Sequence, residues 1–136
     1  MLEELGLLKA LQWLASDMTD QHGIDVLFKI QGNPRRLSSE VELALFRIAQ
    51  EALNNIVKHA AATEAMVQMI FNIEKTTLTI SDNGKGFELP EVISKFAYSG
   101  KMGLMGMQER ARLLGSTLTV KSASGRGTTV SVEAVQ

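Results

Sequence analysis

Leu5, Leu8, Leu11, Leu14 and Met18 recur at steps of three and four residues. That spacing stacks side chains on one stripe of a helix, so a helix is predicted over residues 3–20, stopped by Gly23. From there the period changes to two. Ile24, Val26, Phe28 and Ile30 share one face and Asp25 and Lys29 the other, which predicts a strand ended by the Gly32-Asn33-Pro34 turn. Ser39 followed by Glu42 has the form of a capping box and opens a long helix over residues 40–61. Two strands come next, residues 65–74 with Val67, Met69, Phe71 and Ile73 alternating, and residues 76–81 with Leu78 and Ile80. The short Glu74-Lys75 connection makes them a hairpin. Residues 82–101 show no period and carry Gly84, Gly86 and Gly100. A helix over residues 104–114 stops at Gly115, and residues 118–121 and 128–135 form a second hairpin around Ser124-Gly125-Arg126-Gly127.

The order α-β-α-β-β-loop-α-β-β is rich in hairpins. It predicts an α+β fold, a two-layer sandwich whose mixed, mostly antiparallel sheet carries helices on one face. The irregular stretch exceeds the roughly 12–15 residues at which loops become uncommon, and such loops often act as lids. At 136 residues the chain is expected to be one domain, with no linker that would split it. It is long enough to bury roughly two thirds of its unfolded surface without a disulfide or metal.

The absence of cysteine excludes disulfides, thiolate zinc sites and cysteine nucleophiles, and His22 and His59 are too few for a three-histidine metal site. Fourteen basic residues against fifteen acidic ones leave no broad basic face, so no nucleic-acid partner is expected. No apolar run approaches the roughly 18–20 residues of a membrane span, so no direct membrane contact is expected of this domain. The acidic start Met1-Leu2-Glu3-Glu4 lacks the basic region of a secretory signal. A start inside a helical pattern suggests a piece of a longer protein.

On a helical wheel, Leu45, Ala49, Ala52, Leu53, Ile56 and Ala60 form the core stripe of the long helix. Glu51, Asn55 and Lys58 fall within about 60° of one another on a separate face, at about 100° per residue, with His59 beside them. An amide oxygen and a carboxylate suit Mg²⁺, which keeps several waters and shares substrate phosphates, and an ammonium suits phosphate oxygens. An ordinary solvated helix face has the same composition. Asp82-Asn83-Gly84-Lys85-Gly86 closes a strand with an acceptor carboxylate and glycines that let backbone approach a flat ligand, or else is simply a turn. Gly103-Leu104-Met105-Gly106-Met107 opens a helix with backbone N–H groups placed for an anion, or is only a tight entry. Neither cluster fits a P-loop or a dinucleotide fingerprint, and no Gly-x-Ser-x-Gly elbow is present.

Taken in order, Glu51-x-x-x-Asn55-x-x-Lys58-His59, Asp82-Asn83-Gly84-Lys85-Gly86-Phe87, Gly103-Leu104-Met105-Gly106-Met107-Gln108-Glu109-Arg110-Ala111 and Gly125-Arg126-Gly127-Thr128 resemble the ATP-binding domain of bacterial sensor histidine kinases. The detail is similar to the subclass of nitrate sensors and the membrane-fluidity thermosensor, and the resemblance covers nearly the whole chain. It implies a Bergerat-type sandwich, shared with gyrase, mismatch-repair and heat-shock chaperone ATPases, and the cofactors ATP and Mg²⁺. Under it, Asn55 would ligate Mg²⁺ and Glu51 would act as general base. Lys58 would hold phosphates and His59 would border the nucleotide. Asp82 would read the adenine amine, helped by Thr128 through water, and Gly84 and Gly86 would admit the base. Gly103 and Gly106, with the amides of Leu104 and Met107, would line the phosphates under a lid spanning residues 87–102, with Lys101 as a lid cation. The γ-phosphoryl would pass to a histidine on a separate dimerisation domain, and a response regulator would act downstream. The implied setting is cytoplasmic, with a parent kinase that can be anchored in the inner membrane. Neither histidine here fits the phosphoacceptor, so this chain alone is not expected to autophosphorylate. The alternatives are an anti-sigma-type serine kinase and a nucleotide-gated binding module without transfer activity.

Overall fold

The structure, a computed structural model, describes residues 2–86 and 104–135. Its elements are α1 (Leu2–His22), β1 (Asp25–Gly32), α2 (Ser39–Asn55) continuing into one π-helical turn (Ile56–Ala60), β2 (Glu64–Phe71), β3 (Lys75–Asp82), α3 (Leu104–Leu113), β4 (Leu118–Ser122) and β5 (Thr128–Val135). The strands form one five-stranded sheet in the order β1-β2-β3-β5-β4. The β1–β2 pair is parallel, with α2 supplying the crossover that parallel neighbours need, and the other three pairs are antiparallel. The expected mixed, mostly antiparallel sheet is what the chain forms.

The register aligns the apolar positions across the sheet: Phe28 faces Val67, Val67 faces Ile80, and Ile80 faces Val130. Ala65, Val67, Met69 and Phe71 of β2 are all buried, as are Leu78 and Ile80 of β3 and Val130, Val132 and Ala134 of β5. Their alternate neighbours Met66, Gln68, Ile70, Thr77 and Thr79 are only half-buried. The helices therefore cover one face. Leu7, Leu11 and Leu14 of α1, Leu45, Ile48, Ala49 and Leu53 of α2, and Met107 and Ala111 of α3 complete the core. Among the described residues no helix is long and apolar enough to cross a membrane.

Three local expectations are corrected. Gly6 sits at φ 82°, ψ 169° inside α1, so Leu5 falls out of phase with the stripe that starts at Leu7 and is half-exposed. The cap of α2 is Ser38, not Ser39: the Ser38 hydroxyl accepts from the Val41 N–H at 3.3 Å. Glu42 has a different task. It is buried, takes two bonds of 3.1 Å from the Arg36 guanidinium and accepts from the Leu37 N–H at 3.3 Å. The β2–β3 connection is Asn72-Ile73-Glu74, closed by Asn72 N–H donating to the Lys75 carbonyl at 2.9 Å. Ile73 thus leaves the strand alternation and is 96% exposed at the tip.

Candidate functional site

The site grows from the place where α2 ends and β3 ends beside it. After Asn55 the helix widens into the π turn Ile56–Ala60 and stops at Ala61, whose φ of 52° is the single positive value at a non-glycine among the described residues. Widened turns of this kind recur at functional sites because they re-aim side chains. Here the carbonyl of Ala60 accepts from the Lys85 N–H at 2.7 Å, so the loop after β3 is fastened to the helix end. Gly84 is what permits that approach: a Cβ there would lie 2.2 Å from the Ala60 oxygen. Its missing side chain makes room for protein backbone, whatever it does for a ligand.

Asn83 fastens the other side. Its Oδ1 accepts from the Thr63 and Glu64 N–H groups at 3.0 Å each, and its Nδ2 donates to the Thr63 hydroxyl at 3.0 Å. With Asn83 and Lys85 tied, Asp82 is held at the end of β3, half-buried. Its Oδ1 accepts the Gly84 N–H at 2.7 Å. Burial pushes the Asp82 carboxyl above its ordinary range, and the backbone N–H groups of Gly84 and Thr128 only partly offset this. Across the sheet, Thr128 pairs with Asp82, and its hydroxyl shares a 2.9 Å bond with Ser122, which also lies 3.0 Å from the Gly127 carbonyl. Gly127, at φ 74°, is required there because a Cβ would lie 2.0 Å from the Asp82 carbonyl oxygen.

These groups enclose a cavity of about 220 Å³. Ala52, Ile56, Ala60, Ile80 and Val130 make its apolar walls, and Asn55, His59, Asp82, Lys85, Gly86 and Thr128 complete it. A flat heteroaromatic ring suits such walls, and a carboxylate among them suits an exocyclic amine. Among the described residues no cluster of three or more His, Asp or Glu could hold a metal by itself.

Of the expected site residues, Asn55, His59, Asp82, Gly86 and Thr128 meet around this cavity. Glu51 lies one helical turn before Asn55 and is half-buried, with no hydrogen-bond or ion-pair partner among the described residues. Lys58 is exposed and outside the lining, and Gly84 is buried against Ala60. Leu104 opens α3, Gly106 is half-buried in its first turn, and the Met107 side chain is buried in the core. Lys101, Gly103 and the lid expected at residues 87–102 lie outside the described residues. Sequence reasoning missed Lys85 and the apolar walls. Ala52, Ile56 and Ala60 have the helical spacing of core residues, and nothing in that spacing distinguishes a packed stripe from one that runs on into a cavity.

Residues 40–135 match the family described as histidine kinase-, DNA gyrase B-, and HSP90-like ATPase. The signal transduction histidine-protein kinase/phosphatase DegS of Brevibacillus brevis is 39% identical over 129 residues, a stretch covering 95% of this chain and 32% of that protein. DegS of Bacillus subtilis is 37% identical over 135 residues, covering 97% of this chain and 34% of that protein. The oxygen sensor histidine kinase NreB of Staphylococcus carnosus is 31% identical over 132 residues, covering 97% and 37%. The chain thus spans about a third of the length of these relatives. In fold it is similar to the solved histidine kinase domain from the Erythrobacter litoralis EL346 blue-light activated histidine kinase, with a TM-score of 0.69 at 21% identity over 94% of this chain and 64% of that one. The match over residues 40–135 decides the matter: this chain belongs to the histidine kinase-, DNA gyrase B- and HSP90-like ATPase family.

Proposed function

We propose that the chain is the ATP-binding catalytic domain of a sensor histidine kinase, which takes ATP with Mg²⁺ into the Asp82 cavity and passes the γ-phosphoryl group to a histidine on a separate dimerisation domain. The observation that carries this reading is the half-buried Asp82 carboxylate lining an apolar-walled cavity in an ATPase-family fold. Adenine supplies the amine that such an acceptor lacks, and the walls take its faces. The sensor histidine kinases with which the chain shares 31–39% identity support phosphotransfer as the use of that ATP.

Mg²⁺ fits the donor set. Asn55 lines the cavity, and among the described residues no group of three or more His, Asp or Glu forms a protein cage, which suits an ion that arrives with nucleotide phosphates and keeps its waters. Asn55 would hold it, and the ion would supply charge neutralisation on the phosphates. Thr128 would assist Asp82 through water, His59 would border the nucleotide, and exposed Lys58 would reach the phosphates. Gly103, Gly106 and the first amides of α3 would meet the phosphates, with Lys101 as a lid cation. In the transfer the bond from the γ-phosphorus to its bridging oxygen breaks, a bond to the imidazole nitrogen forms, and ADP leaves. Glu51 would orient the acceptor imidazole and take its proton. The protein's contribution would be mainly positioning and charge, as in other phosphoryl transfers.

Residues 1–136 would form one ATPase unit, with residues 1–22 as the end of a helical segment leading in from the dimerisation domain. A response regulator would act downstream in a cytoplasmic two-component pathway. Mixing the chain with the dimerisation domain and γ-labelled ATP tests this directly. Label should appear on the partner's histidine and be lost with Asn55→Ala; equal transfer by that variant would refute the assignment.

A further inference from the structure

Lys85 stands between the two glycines of the loop after β3, and its backbone is gripped on both sides. Its N–H donates to Ala60 at 2.7 Å and its carbonyl accepts from Gly125. That fastening sets the residue on the wall of the Asp82 cavity, while the residue itself is exposed. The two opposite charges do not neutralise each other. The ion pairs among the described residues are Arg36–Glu42, Lys75–Glu133 and Arg112–Glu109. The Lys85 ammonium has no hydrogen-bond or ion-pair partner among those residues. The Asp82 carboxyl, pushed up by burial, has no cation among the causes of its shift. Lys58 is absent from the cavity lining, so Lys85 is the lysine on this wall among the described residues. A cavity lined by a carboxylate with acceptor capacity beyond its two backbone N–H groups, and by an ammonium with no partner among the described residues, suits a ligand that is an amine at one end and an anion at the other.

We infer that Lys85 is a nucleotide-binding residue whose ammonium contacts the phosphate end of the ligand and fixes its direction in the cavity. The inference rests on the nucleotide reading of the same cavity and adds a residue to it. A lysine acts on phosphate as a mobile point charge, so arginine can replace it and methionine, with a similar stem, cannot. The contact also weakens as salt screens it.

The test is titration of ATP, ADP and adenosine into the wild type, Lys85→Met and Lys85→Arg, followed by calorimetry for the nucleotides and by magnetic resonance shifts for adenosine. Lys85→Met should weaken ATP and ADP by about 5- to 30-fold, the range of a partly exposed charge-assisted contact, and leave adenosine unchanged. Lys85→Arg should restore most of the loss, and the salt dependence of ATP affinity should be shallower in Lys85→Met. Unchanged ATP affinity in Lys85→Met overturns the inference while leaving the nucleotide reading in place. An equal loss for adenosine also overturns it, since the residue would then serve only the loop's shape. A wild type that binds none of the three ligands overturns both readings.

Discussion

Asp82→Asn sets ligand binding against stability at one side chain. In the wild type the carboxylate takes backbone N–H groups of Gly84 and Thr128 and still presents acceptor capacity to the cavity. An asparagine has one acceptor oxygen. If that oxygen stays with the two N–H groups, the amide nitrogen faces the cavity and opposes the adenine amine, donor against donor. The loss of a hydrogen bond to a charged group is worth about 1.5–3 kcal/mol, or roughly a 10- to 150-fold weaker Kd for ATP. Calorimetric titration reads it.

Stability should move the other way. Burial is the largest influence on Asp82 and holds its pKa above the ordinary 3.8. A carboxyl raised in the fold destabilises the native state when ionised. That cost is fully present above the folded pKa and disappears as pH falls below 3.8. Asparagine removes the charge and keeps the shape, so the variant should gain about 0.5–1 kcal/mol at neutral pH, a modest figure because the group is only half-buried. For a domain of this size that is a Tm higher by about 2–4 °C. The gain over wild type should shrink to nothing in acid, where both side chains are neutral. A variant that binds ATP as tightly as wild type would refute the placement of adenine at Asp82. One that melts lower at neutral pH would show that the backbone N–H bonds outweigh burial.

Other perturbations separate the frame from the pocket. Asn83→Ala removes three hydrogen bonds to Thr63 and Glu64; being exposed, they should cost about 1–2 kcal/mol together, and amide exchange at those two residues should accelerate well beyond that of the residues from Ala65 to Phe71. Glu42→Ala strips the Leu37 N–H of its buried acceptor and frees Arg36. It should lower denaturant stability by about 1–3 kcal/mol with ATP affinity unchanged, since the change lies outside the nucleotide cavity. Gly84→Ala would force a Cβ to within 2.2 Å of the Ala60 oxygen, so either the loop or the π turn must move. A loss of about 1–3 kcal/mol is expected, accompanied by weaker ATP binding. Gly115→Ala has open space around it but φ 71°, so it should cost about 1–2 kcal/mol without touching ATP.

Periodicity made the layers legible because every strand of the sheet's interior buries alternate residues against one helical layer, and that produces a clean two-residue rhythm in β2, β3 and β5. The rhythm fails where geometry is set by a single backbone angle or contact. Leu5 has the right spacing for the α1 stripe, and only the positive φ of Gly6 takes it out. Ser38 and Ser39 are equally good caps on paper. The choice between them is made by Glu42, which fits the capping-box pattern with Ser39 but is drawn instead to Arg36 and the Leu37 N–H.

The site divides along the same line. Asp82, Asn55 and Thr128 could be picked from the chain because each has a chemistry that a bare turn or helix does not need, and the order of the motifs supplied the rest. The cavity itself could not. The apolar stripe that packs at Leu45 and Ala49 runs on through Ala52, Ile56 and Ala60 into the cavity wall, opposite Ile80 and Val130 of the sheet, and the last part of that wall is the π turn that follows Asn55. No residue between Ile56 and Ala60 announces a π turn. What holds it is distant in sequence: the Lys85 N–H on the Ala60 carbonyl, and the bare Cα of Gly84 that lets the two chains meet. The glycine that reads locally as a turn, or as an opening for a ligand, is in the folded chain the point where the cavity's two sides are fastened together. Gly84→Ala is therefore expected to damage stability and binding at once, whereas Asp82→Asn should divide them.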